Sequence, residues 1–346
     1  MDVETTQNCA AAQISGRGQS LLQLSFVMAL MFSALLMFLV QPMVGKALLP
    51  ALGGTPQVWN TCMVFFQTML FAGYLHAHYT GAIIGLKRQA VVHLGIALIA
   101  LFFMPFGVTE GRLSSPDPEY PVLWLMKALF LSVGVPVFLI AATAPLLQKW
   151  FANSRHSAAG DPYFLYAASN FGSLLALVAY PTVVEPFANL EQQWMWWSAG
   201  FAIFVWLLAV CALLLQRDRW VFSNIRHASS TPQAIAAVTN GLRVRWLLLS
   251  FAPSSLMLGV TTFITTDIAS VPLFWIVPLA LYLVTFILAF ATRQIIPRVI
   301  ALRAQAFIIT LLAALALIPS IATVNAPIFI LVHLGHSITH NANVIA

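Results

Sequence analysis

The stretch Leu21–Val40, LLQLSFVMALMFSALLMFLV, decides the fold, together with the QPMVGK that follows it at 41–46. Its twenty residues contain no charge. A helix rising 1.5 Å per residue needs about 20 of them to cross the ~30 Å hydrocarbon core of a bilayer. The run is longer than a signal-peptide core and no small-residue cleavage site follows it, so it reads as a retained membrane span. Gln41-Pro42 then interrupts the apolar pattern. Residues 43–54 are too short to cross again, and the expectation for them is a re-entrant or interfacial half-helix.

Working outward, comparable runs fall at about 57–79, 89–106, 122–148, 163–183 and 194–215. Residues 216–245 are more polar, and four further runs follow near 246–265, 271–291, 299–319 and 326–342. The division expected is a cytoplasmic tail over 1–20, a six-span bundle over 21–215, a cytoplasmic linker over 216–245 and a partial second bundle of about four spans over 246–346. Composition agrees: 60% of the 346 residues are hydrophobic and 8% are charged, where a soluble domain carries roughly 25% charge. A soluble enzyme and a disordered chain are excluded on that ground. Cys9, Cys62 and Cys211 are too scattered for a disulfide framework.

The basic residues give the orientation, because Lys and Arg stay on the cytoplasmic side during insertion. With the N-terminus inside, only Lys46, Arg112 and Lys127 fall outside, leaving 13 of the 16 Lys and Arg on the inner side. This asymmetry accounts for the net charge of +6, so the lipid bilayer is the expected partner and nucleic acid is not. Six spans, a basic linker and four more follow the plan of a transporter built from two six-helix halves.

Several separated blocks carry a resemblance. FLVQPMVGK at 38–46, then Leu49-Pro50 and GGTPQVWN at 53–60, resemble the start of bacterial fused membrane proteins of the MFS/spermidine synthase-like type. APLLQKW at 144–150, DPYFLYAASN at 161–170 and MLGVTT at 257–262 with TDIA at 266–269 do likewise. The resemblance implies an all-α, polytopic bundle of about ten spans, an MFS-like six-helix half plus an incomplete second half, in a bacterial inner membrane. It also implies a C-terminal synthase-like domain. The chain stops at Ala346 before any such domain, and no G-x-G-x-x-G follows a strand. The expectation is therefore a membrane region that is not an enzyme.

Ionisable and amide side chains at membrane depth are costly and mark function by default. Asp267, in TTDIAS at 265–270, reads as a broken helix or as an ordinary helix cap. Lys46 either pairs with Asp267 or Glu185, or snorkels to the headgroups. Asn60 and Gln67, seven apart, share a helix face that either lines a cavity or bonds a neighbouring helix. Gln41 at the end of the first run and Asn170 among small residues complete the candidates. His76 and His78, two apart on a helix, diverge and form no metal triad with His93. The row His333, His336 and His340 has no carboxylate beside it, so neither a metal nor a cofactor is expected. Trp150, Trp194, Trp196 and Trp197 lie at span ends, where an aromatic belt explains them.

Two functions are compatible with these residues. One is a transporter-like domain that binds or moves a small polar solute. A cationic amine is suggested there by the resemblance and by the acids Asp267, Glu185 and Glu191. The other is a non-catalytic anchor or scaffold for a synthase-like domain.

Overall fold

The computed structural model describes residues 3–217 apart from 54, 108–116, 118 and 155, then 239–263, 276–289 and a few positions between 299 and 310. The chain divides into two units, Met1–Ile225 and Arg226–Ala346. The described residues of the first form six long helices: α1 (Val3–Leu52), α2 (Pro56–Ile83), α3 (Gly85–Leu101), α4 (Pro121–Ala152), α5 (Phe164–Phe187) and α6 (Leu190–Arg217). Stretches Gln19–Leu52 of α1, α4, α5 and Leu190–Leu215 of α6 are each long and apolar enough to cross a membrane. The remaining two of the six are weaker. α2 carries Asn60, Gln67, His76 and His78 along its length, and α3 has 17 residues.

Local chemistry sets the helix ends. Proline opens α2 and α4, where its missing N–H is not needed and its fixed φ suits the first turn. Gly53 (φ +71°) closes α1, and Gly85 (φ +74°) makes the tight turn from α2 into α3.

The expected half-helix after Pro42 is not formed. α1 runs unbroken through Pro42 and on to Leu52. A proline removes one intrahelical donor and crowds the preceding turn. The Gln41 side chain donates from Nε2 to the Met37 carbonyl at 3.4 Å, which leaves the Phe38 carbonyl, the one Pro42 cannot bond, without its intrahelical donor. Two other helices absorb prolines by widening: π-helical turns occur at Phe130–Gly134 in α4, ahead of Pro136, and at Tyr180–Val184 in α5, around Pro181.

The packing has an internal pattern. α1 packs on α5 and α6, and α4 packs on α2 and α3, while α1 meets α4 and α3 meets α6. Exchanging each helix with the one three places along leaves these six pairs unchanged, although α2 also packs on α3 with no α5–α6 packing of equal extent. Close backbone approach repeats the pattern. A side chain at Gly172 of α5 would run into the Met31 carbonyl of α1, and a Cβ at Gly73 of α2 would stand 2.7 Å from the Ala142 nitrogen of α4. Without an aqueous driving force between spans, such small-residue contacts hold the helices together. Phe26 and Phe151 meet edge to face at 5.4 Å where α1 crosses α4.

The aromatic-belt expectation fails for three tryptophans. Trp150, Trp194 and Trp197 are buried, and only Trp196 of that set is exposed. Trp197 donates to the Leu36 carbonyl at 2.9 Å, and Trp194 covers Gly107. Cys62 and Cys211 are free and buried.

In the second unit, α7 (Asn240–Phe263) packs on α8 (Ile276–Ala289). Thr285 is buried there, its hydroxyl turned back to the Tyr282 carbonyl at 2.7 Å.

Candidate functional site

One end of the first unit gathers the end of α1, the start of α2, the end of α5 and the start of α6. Lys46 on α1 donates to Glu185 Oε1 on α5 at 2.7 Å. The other carboxylate oxygen accepts from Gln193 Nε2 at 3.4 Å, and the same amide nitrogen donates to the Ala188 carbonyl at 2.9 Å. Tyr180 donates its hydroxyl to Gln193 Oε1 at 3.3 Å. Lys46 and Glu185 are partly exposed, whereas Gln193 and Tyr180 are buried beneath them. The result is a wet ion pair standing on a dry polar base. Gln193 and Tyr180 carry no charge and stand in an apolar, aromatic-rich stretch, so the sequence alone does not mark them.

Away from this bridge, α2 presents Asn60, Gln67 and Tyr74 at seven-residue intervals, all exposed. Neither Asn60 nor Gln67 bonds another described residue. On α5, Asn170 donates to the Tyr166 carbonyl at 2.8 Å, and the Tyr163 and Tyr166 rings stack at 6.2 Å. Tyr74 of α2 lies near enough to Tyr166 of α5 to act on it electrostatically. Gln41 turns back onto its own helix.

Charge is sparse on these helices. Beyond Glu4 near the start of α1, their only carboxylates are Glu185 and Glu191, both close to helix ends. Asp267 lies outside the described residues, as do Thr265–Ser270 around it and the His333, His336 and His340 row.

The opposite end holds a second polar cluster. Gln89, fully buried on α3, donates to the Ala77 carbonyl and the Thr80 hydroxyl, both at 2.8 Å, and accepts from Trp150 Nε1 at 3.2 Å. His93 lies one turn further along α3, beside His76. In sequence Gln89 follows Lys87-Arg88 and looks like an interfacial residue. Only the packing of α3 between α2 and α4 puts it inside.

No protein-family model matches this chain, and no curated protein does. Among solved structures it is similar to the major facilitator superfamily proton:xylose symporter XylE bound to 6-bromo-6-deoxy-D-glucose. The identity is 15%, the similarity covers 94% of this chain and 82% of that one, and the TM-score is 0.57. The likeness establishes the architecture: a polytopic helical bundle of the MFS type.

Proposed function

We propose that this chain is a solute carrier whose first unit offers the face formed by Asn60, Gln67 and Tyr74 of α2 with Tyr166 and Asn170 of α5 to a small polar solute. The observation that carries the reading is the pair of exposed amides Asn60 and Gln67 on one face of α2, neither side chain bonded to another described residue. The face offers amide donors and acceptors and stacking rings, which recognise hydroxyl and amide groups by hydrogen bonding. It offers no free carboxylate, since Glu185 is already neutralised by Lys46. An uncharged polar solute therefore suits it better than a cationic amine. Orientation follows the Lys and Arg asymmetry, with the N-terminus cytoplasmic and the Lys46 end outside. The bacterial inner membrane and the synthase-like companion rest on the resemblance in sequence.

Ligand-induced thermal stabilisation of the purified chain against neutral polyols, sugars, amides and amines tests this, since a bound solute raises the melting temperature by mass action. A neutral solute is expected to stabilise the parent chain and not the Asn60→Leu/Gln67→Leu variant, with unliganded stability unchanged. A ligand that stabilises both equally removes this face from the site. A scaffold would respond to no solute.

A further inference from the structure

We infer that His76 and His93 form a two-coordinate site for a soft monovalent metal ion, Cu(I). The hairpin of α2 and α3 brings the two rings together, with centroids 5.6 Å apart and planes inclined by 35°. His93 is fully buried. Its Nε2 lies 3.2 Å from Thr143 Oγ1, and that hydroxyl donates its one hydrogen to the Leu139 carbonyl at 2.7 Å. Thr143 must then accept from His93, which places the ring hydrogen on Nε2 and leaves Nδ1 a bare lone pair. That nitrogen is buried without a partner, and so is Nε2 of His76. Two such nitrogens left unsatisfied on neighbouring rings are costly. An imidazole whose other nitrogen is fixed by a hydrogen bond is the arrangement found at metal ligands.

The spacing and the charge choose the ion. Metal–imidazole bonds of about 2.0–2.1 Å place two rings in line across one ion roughly 6.4 Å apart between centroids, so the 5.6 Å observed fits an ion held in a bend between the rings rather than in line. Zn(II) wants four ligands, and no group of three or more His, Cys, Asp or Glu gathers among the described residues. Phe138 packs edge-on against His76 at 5.3 Å, so the surroundings are apolar on that side. Lys149 adds positive charge to this end of the unit, its Nζ 2.6 Å from where a Cβ on Gly81 would stand. It opposes a divalent ion more than a monovalent one. Copper accepts imidazole ligands, and a single charge held by two neutral rings carries the smaller desolvation cost. His78, which diverges from His76, is exposed against Tyr79 and plays no part. His76 is only partly buried and gives the ion a way in.

The test loads the purified full-length chain with Cu(I) under reducing, anaerobic conditions, removes free metal by gel filtration, and measures retained copper and its X-ray absorption spectrum. The expected result is nitrogen-coordinated copper at one per chain, falling at least tenfold in His76→Ala and in His93→Ala and unchanged in His78→Ala. His76→Ala is decisive, because a partly exposed position is replaced without disturbing the core. No retained copper, copper held through sulfur only, or copper retained in His76→Ala overturns the site.

Discussion

Lys46 Nζ and Glu185 Oε1 stand 2.7 Å apart across 139 positions of sequence, joining the end of α1 to the end of α5. Both side chains are more than a third exposed, at 34% and 41%. Exposed pairs of this kind contribute about 0.2–1 kcal/mol. A double-mutant cycle with Lys46→Met and Glu185→Gln, read by thermal unfolding in detergent, should give a coupling in that range. It should shrink in 1 M salt, where screening acts over roughly 3 Å. Under the proposed carrier function, a single variant that keeps its stability but loses solute uptake would identify the pair as a gate.

Gly172 has no room for a methyl group against the Met31 carbonyl, whereas Gly95 has nothing within 4 Å. Gly172→Ala should destabilise the chain by about 2–3 kcal/mol or more, because backbone on both sides has to move. Gly73→Ala should follow it for the same reason. Gly95→Ala should be neutral or should gain up to about 1 kcal/mol from helix propensity. Melting temperatures of the three variants decide the order.

Gln89 serves Trp150, Thr80 and the Ala77 carbonyl at once. Gln89→Leu should cost about 1–3 kcal/mol by leaving the buried indole N–H of Trp150 without an acceptor. Adding Trp150→Phe to that variant should cost less than the same change in the parent chain, and the cycle measures the difference.

Reporter fusions after Gly160, between α4 and α5, should read as cytoplasmic. Fusions after Glu119, between α3 and α4, should read as external. The opposite pattern would invert the orientation drawn from the basic residues.

The helical bundle was legible in the sequence because a span advertises itself by length and absence of charge, as Leu21–Val40 does. The continuity of α1 was not. Pro42 reads as a stop, yet α1 continues through it for another ten residues to Leu52. Among the candidate site residues, exposure is a property of neighbours rather than of spacing. Asn60 and Gln67 were marked by their seven-residue separation, but that they face away from the packed helices depends on where α4 lies. Gln89 and Gln193 look like ordinary surface amides until three helices close over them. Trp194 and Trp197 show the converse error, since position at a span end does not separate a headgroup anchor from a core ring.

The two glycine seats also divide the mechanics of the first unit. At Gly172 the backbone of α5 lies directly on α1, and at Gly73 that of α2 lies directly on α4. Rods touching backbone to backbone have no side-chain layer between them at that point, so each pair should resist sliding there. Between the two pairs, α1 and α4 meet through side chains, with the rings of Phe26 and Phe151 edge to face. That contact is a side-chain layer, where the two glycine seats have none, so volume-conserving substitutions at Phe26 or Phe151 should be tolerated better than a methyl group at either glycine.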